Sequence, residues 1–405
     1  MKYTFVLFAF LCSALISKAQ VLTAEDSLSA GLIARDQVTV LSGYGEAYYS
    51  NDLKRKTSEA SLKRIVLFIG HKFSNKISLF TEIEVEDGIT AGDGSSKGSV
   101  GMEQAFLKFN VTPNNYFVAG LFIPRIGIIN ENHLPPTFNG VERPWVEQLI
   151  IPSTWREIGI GFYGTTKNIP GLNYSVGVTN GMNSANFSTG TGIANGIQSG
   201  SKTTGRGIGL NASLLYYFNN FRAQVSGYMA GSTGAEKRVA DSLGLESGPF
   251  ANPVILGEAN IQYHKKGITV KALATGIKIS NSADINSAYA NNAASMLYGT
   301  YIEGGYDLLY KKYKGEKSLT VFSRYEHLNT SAKIPKNGIQ DPANKMHFIL
   351  AGITYKPVRG VAIKMDYTHK ITGDPNLALI VTPYPQLVPY FTSSGFVNLG
   401  VAYNF

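Results

Sequence analysis

The fold of this 405-residue chain is limited most by a repeated alternation of apolar and polar residues in segments about ten residues long. Sixteen such segments begin near Val38, Arg64, Ile77, Met102, Tyr116, Glu157, Leu172, Gly205, Phe221, Val254, Ile268, Thr300, Ser318, Met346, Val361 and Gly395. From Val361 to Lys370, Val361, Ile363, Met365 and Tyr367 share one face, opposite Ala362, Lys364, Asp366, Thr368 and Lys370. Period-two alternation marks a strand, because successive side chains leave opposite faces of a sheet. The gaps alternate between short and long. Turn-like Ser74 to Lys76, Pro113 to Asn115, Asn219-Asn220 and Lys265 to Gly267 interleave with polar stretches such as Gly88 to Val100, Gly181 to Thr204 and Gly231 to Pro253.

Long connections gathered at one end of every hairpin predict an all-β transmembrane antiparallel barrel, tight turns facing the periplasm and long loops the exterior. Ten residues at about 3.3 Å rise, tilted about 40°, span the apolar band of roughly 25 Å. Lipid offers no partner to an open sheet edge, so the sheet must close. Sixteen strands enclose a lumen wide enough for water. The last segment ends with Val397, Leu399, Val401, Tyr403 and Phe405 on the outward face, an aromatic end that resembles the terminal strand of outer-membrane barrels.

Composition closes the alternatives. Charged residues are 16% and hydrophobic residues 44%, too apolar for a disordered chain. Forty-three Gly and an 11% aromatic share fit strands and turns better than helices. Beyond the N-terminus no run approaches the roughly 20 apolar residues of a spanning helix. Lys2, the apolar Tyr3 to Ile16 and Ser17-Lys18-Ala19 read as a signal peptide over residues 1–19. Residues 20–37 then form a periplasmic leader and 38–405 the barrel. The one cysteine, Cys12, falls in the removed segment, which excludes thiol chemistry. Without Lys2 and Lys18, 35 basic residues face 28 acidic ones, a net charge of +7.

Several stretches carry a family resemblance. Leu79 to Asp87 resembles the acidic third-strand motif of the phosphate-selective porin O and P family, and Gly101 to Phe106 fits the strand after it. Gly120 to Arg125 resembles the fifth strand leading into the constriction loop. His133 to Pro144 and Ile150 to Glu157 resemble the loop itself. The likeness implies a porin in the bacterial outer membrane, a sixteen-stranded homotrimer whose third long loop folds into the lumen. Its partners would be outer-membrane lipid and lipopolysaccharide, with small hydrophilic solutes or ions as cargo; anions such as phosphate are candidates, but selectivity for them does not follow from the likeness. Nucleic acid has no place in that picture.

The arginine ladder and lysine cluster of phosphate-selecting members are not evident. By alternation the inward bases are Lys108, Arg222, Lys271, Arg324, Lys364 and Lys370. The inward acids are Glu46, Glu82, Glu84, Glu86, Glu157, Glu258, Glu303, Asp307, Glu326 and Asp366. Most excess positive charge lies in the short turns, at Lys76, Lys265, Lys266, Lys311, Lys314, Lys356 and Arg359 among others.

Selectivity is expected in the third long loop, Arg125 to Arg156. Ile128, Ile129, Phe138, Trp145, Ile150, Ile151 and Trp155 are too many large apolar groups for a solvated loop, and Pro135, Pro136 and Pro144 stiffen it. Its charged residues Arg125, Glu131, His133, Arg143, Glu147 and Arg156, with Glu82, Glu84, Glu86, Lys108, Arg324 and Lys364 of the wall, are the candidate constriction residues. In the other reading Arg125, Arg143 and Arg156 pair with Glu142, Glu147, Glu157 or the strand-three acids simply to pin the loop, and both roles can hold together.

No enzyme or cofactor is expected. Gly94 to Gly98 matches a hydrolase pattern by letters alone, and Gly159 to Gly164 a dinucleotide fingerprint without its helix. The six His (His71, His133, His264, His327, His347 and His369) show no metal-ligand spacing. Tyr263, Tyr310, Tyr355 and Tyr403 read as an interfacial aromatic girdle. The reading is therefore a passive diffusion channel. A non-conducting barrel acting as surface adhesin or assembly anchor is the alternative, and an outer-membrane lipase or protease lacks a Ser/His/Asp arrangement.

Overall fold

The computed structural model describes residues 39–87, 98–379 and 390–405. The signal peptide, the leader, Cys12 and most of the Gly94 to Gly98 motif lie outside them. Sixteen strands follow in order: β1 (Thr39–Asp52), β2 (Thr57–Lys72), β3 (Ile77–Glu86), β4 (Ser99–Thr112), β5 (Asn115–Phe122), β6 (Glu157–Thr165), β7 (Leu172–Asn180) and β8 (Ile208–Phe218). The second half is β9 (Phe221–Ala230), β10 (Val254–Lys265), β11 (Ile268–Ile279), β12 (Met296–Asp307), β13 (Ser318–Lys333), β14 (Lys345–Val358), β15 (Val361–Thr372) and β16 (Ser393–Asn404). Each strand pairs antiparallel with its sequence neighbours, and β1 closes the barrel on β16 through Tyr44 opposite Asn404 to Asp52 opposite Phe396.

Alternation sorts side chains as the sequence predicts. On β15, Ile363, Met365 and Tyr367 are 49%, 47% and 45% exposed, whereas Ala362, Lys364, Asp366 and Thr368 are buried. The same outward apolar sheath carries Ile160, Val176, Leu214, Val225, Ile302 and Val401. A closed barrel that is apolar outside and polar inside is built for a lipid bilayer. Among the described residues no helix is long and apolar enough to cross a membrane.

One connection departs from the expected alternation of gap lengths. β1 and β2 run past the apolar band, so their outer loop is only the four residues between Asp52 and Thr57. The polar residues from Tyr48 to Lys63, read as loop from the sequence, are mostly strand. Among the register shifts of the barrel, one lies beside Glu46 in the β1–β2 pair and another beside Glu82 in the β3–β4 pair. Tyr310 also departs from the girdle reading and lines a cavity inside the barrel, whereas Tyr355 faces outward.

The third long loop, residues 123–156, fills the middle of the lumen. Ile126, Val146, Ile150, Ile151 and Trp155 are fully buried against Tyr228, Leu256, Tyr301 and Phe348 of the wall. Each such aliphatic group contributes about 1.5–3 kcal/mol on burial, which explains why the loop leaves solvent for the lumen. Gly299 makes the room: a Cβ there would lie 2.8 Å from a Val146 methyl carbon. Gly127 turns the loop's entry with φ +82°, and a Cβ there would meet the Glu147 carboxylate at 2.6 Å.

Candidate pore constriction

The loop is fastened to the wall around most of the barrel. The backbone amide of Val141 donates to Asp366 (2.7 Å) and that of Val146 to Glu326 (2.9 Å). Asn139 donates to Glu303 (3.0 Å). Arg324 donates to the carbonyls of Asn139 (3.4 Å) and Glu142 (3.2 Å), and its ion pairs to Glu303 (3.1 Å) and Glu326 (2.9 Å) keep it buried. Lys364 donates to the Pro135 carbonyl (2.7 Å). Within the loop, Glu147 caps its own turn: one oxygen accepts the amides of Ile128 (2.6 Å) and Ile129 (2.7 Å), the other the Tyr301 hydroxyl (2.6 Å). Burial pushes this carboxyl up to about 7, against the pull of those three donors.

A second network joins the loop to β1–β4. Arg64 pairs with Glu46 (2.9 Å) and Glu84 (3.0 Å), and Arg156 reaches Glu84 from the loop's end (3.3 Å). Lys63 pairs with Glu142 at 2.6 Å; although burial works against the charged form, Lys63 holds that carboxyl below its ordinary range. His133 is fully buried with Nε2 3.7 Å from Glu103 and 3.9 Å from Glu82. Burial lowers the His133 imidazole, and the two carboxylates oppose that shift. The Arg143 guanidinium donates to the His133 carbonyl (3.2 Å). On the opposite flank Arg125 pairs with Glu131 at 2.7 Å, and Arg222 lies 3.4 Å from the same carboxylate.

Two cavities flank the segment 137–145. A cavity of about 400 Å³ on the outer side is lined by Asp52, Arg55, Glu59, Glu142, Trp145 and Lys370. One of about 520 Å³ on the inner side is lined by Thr137, Asn139, Lys271, Lys314, Lys356 and Arg359, with Asp307 as its carboxylate. The loop tip is thus the partition between two polar spaces. Three bases assigned from the sequence to the periplasmic turns, Lys314, Lys356 and Arg359, face the inner one.

The structure brings Arg125, Glu131, His133, Arg143, Glu147, Arg156, Glu82, Glu84, Arg324 and Lys364 into these contacts. Glu86 sits at the network's rim, 3.9 Å from Arg64 and half-exposed. The Lys108 ammonium lies over the Tyr116 ring, 4.1 Å from its centroid. Sequence reasoning missed Lys63, Arg64 and Glu103. Lys63 and Glu103 are the extra residues of the two bulges, since Glu46 pairs with Arg64 while Ala47 pairs with Leu62, and Glu82 with Gln104 while Ile83 pairs with Met102. A bulge puts neighbouring residues on one face and breaks the alternation used to sort them. The adjacent polar pairs Lys63-Arg64 and Glu103-Gln104 are the signal that could have shown it.

No protein-family model matches the sequence. An uncharacterized protein of Aquifex aeolicus (strain VF5) is 28% identical over 343 residues, 82% of this chain and 75% of the relative. Among solved structures, OmpF of Salmonella typhi, in complex with daunomycin, superposes with a TM-score of 0.56 at 13% identity, over 92% of this chain and 99% of that one. The anion-selective porin from Comamonas acidovorans gives 0.53 at 12%, over 91% and 99%. With its lipid-facing sheath and inward loop, the chain has the sixteen-stranded fold of bacterial outer-membrane porins, and that architecture supports an outer-membrane location.

Proposed function

We propose that the chain is a porin, a passive channel for small hydrophilic solutes and ions, with the segment 137–145 as its constriction. The observation that carries this reading is the pair of cavities with charged side chains in their linings, one on either side of that segment. The inner cavity carries Lys271, Lys314, Lys356 and Arg359 against Asp307, which favours entry of anions, phosphate among them. The constriction residues are those of the loop and wall networks above. Assembly as a homotrimer, embedded among lipid and lipopolysaccharide, belongs to the same proposal, as does removal of residues 1–19 on export. Liposome swelling tests it: vesicles holding the folded protein should swell in isotonic solutions of small sugars and not of large ones.

A second reading has its own observation. The loop's amides and carbonyls are held by Asp366, Glu326, Arg324 and Lys364 across the lumen, as a plug would be. Vesicles that stay impermeable to every solute would favour a non-conducting anchor.

A further inference from the structure

We propose that Glu82, Glu103 and His133 form a binding site for one divalent first-row metal ion of the zinc type, clamping the constriction loop to β3 and β4. Their ligand atoms come from three separate segments and all lie within 4.8 Å of one another. Nε2 of His133 is 3.7 Å from Oε1 of Glu103 and 3.9 Å from Oε2 of Glu82. Tetrahedral zinc with bonds of about 2.0–2.1 Å needs ligand atoms roughly 3.3–3.4 Å apart, so the two carboxylates must each approach the His133 imidazole by roughly half an ångström and draw toward one another as the ion binds. One imidazole with two carboxylates suits zinc and its neighbours, and the two carboxylates neutralise the ion.

A separate observation points to a ligand. Glu103 is fully buried, and its Oε2 accepts the Tyr44 hydroxyl at 2.6 Å. Its Oε1 accepts no hydrogen bond and is aimed at His133. A buried carboxylate oxygen left in that state is costly unless a cation satisfies it. The bulge in β4 places Glu103 there, where regular alternation would turn it away. Outer contacts orient the two carboxylates as in metal sites: Tyr44 on Glu103 and Gln104 on Glu82 (2.9 Å). A cavity of about 30 Å³ is lined by Glu82 and Gln104.

The test uses the full chain folded in detergent, stripped with chelator and dialysed against Zn²⁺, with Ca²⁺ in a parallel arm, and metal content then measured. The site predicts one Zn²⁺ per chain, no Ca²⁺, and loss of that zinc in E103Q and H133Q. His327 and His347, whose rings stack at 4.2 Å on the outer face, are the control for adventitious binding, and H327A/H347A should keep the zinc. Because an unfolded variant would lose metal trivially, Co²⁺ is titrated into the wild-type chain, where one equivalent should produce the visible bands of four- or five-coordinate cobalt. A zinc-free wild type, no cobalt spectrum, or zinc lost in H327A/H347A and kept in E103Q would overturn the proposal. Such a result leaves the channel reading standing, since conductance is measured separately.

Discussion

The Lys364 ammonium lies 3.8 Å from the centroid of the Phe138 ring. A cation of β15 thus grips the loop from across the lumen. Such a contact contributes about 0.5–2 kcal/mol, more when water is excluded. Phe138→Ala removes the ring and leaves the Lys364 charge facing a wider passage. We expect a larger unit conductance with the fold intact; an unchanged conductance would move the constriction elsewhere.

Loop docking should respond to pH through Glu147. Burial raises this carboxyl from its ordinary 4.5 to about 7 in the folded chain. A group raised on folding stabilises most below its unfolded value and loses that contribution as pH rises through the folded one. Docking is therefore tightest near pH 4–5 and weakens up to about pH 7. Amide-exchange protection of Ile128 and Ile129 should fall over that interval once intrinsic exchange is divided out. Glu147→Gln retains acceptor capacity and should flatten the profile. A profile identical in the variant would assign the dependence to another group.

Arg64 is the cation between Glu46 and Glu84, and all three side chains are buried. Arg64→Met leaves the two carboxylates facing each other without it. Removing one partner of a buried pair costs about 3–5 kcal/mol. Urea unfolding in detergent should show a loss of that order. A loss under about 1 kcal/mol, the range of exposed pairs, would mean that water reaches the network.

Selectivity should answer to the inner cavity. Lys314 and Arg359 lie in connections outside the strands, so K314E/R359E spares the barrel wall. In a salt gradient the reversal potential should shift toward cation preference. No shift would make those bases solubilising groups only.

The fold was legible because lipid on one side and water on the other impose a period of two on every strand. Val361 to Lys370 obeys it without exception, and the loop's Ile150, Ile151 and Trp155 announced its burial. Where the backbone leaves that period, the sequence misleads. The bulges beside Glu46 and Glu82 turned Lys63 and Glu103 inward, and strands extended above the bilayer hid behind polar residues that read as loop. The grouping of His133 with Glu82 and Glu103 was illegible for another reason: it depends on where a loop crosses the lumen, which no local spacing records.

Channel activity is read by inserting the purified, folded protein into planar lipid bilayers and recording current at fixed voltage. Stepwise, ohmic conductance increments that grow with salt concentration are predicted. Silent bilayers, with folded and inserted protein demonstrated in the same membranes, would contradict the channel.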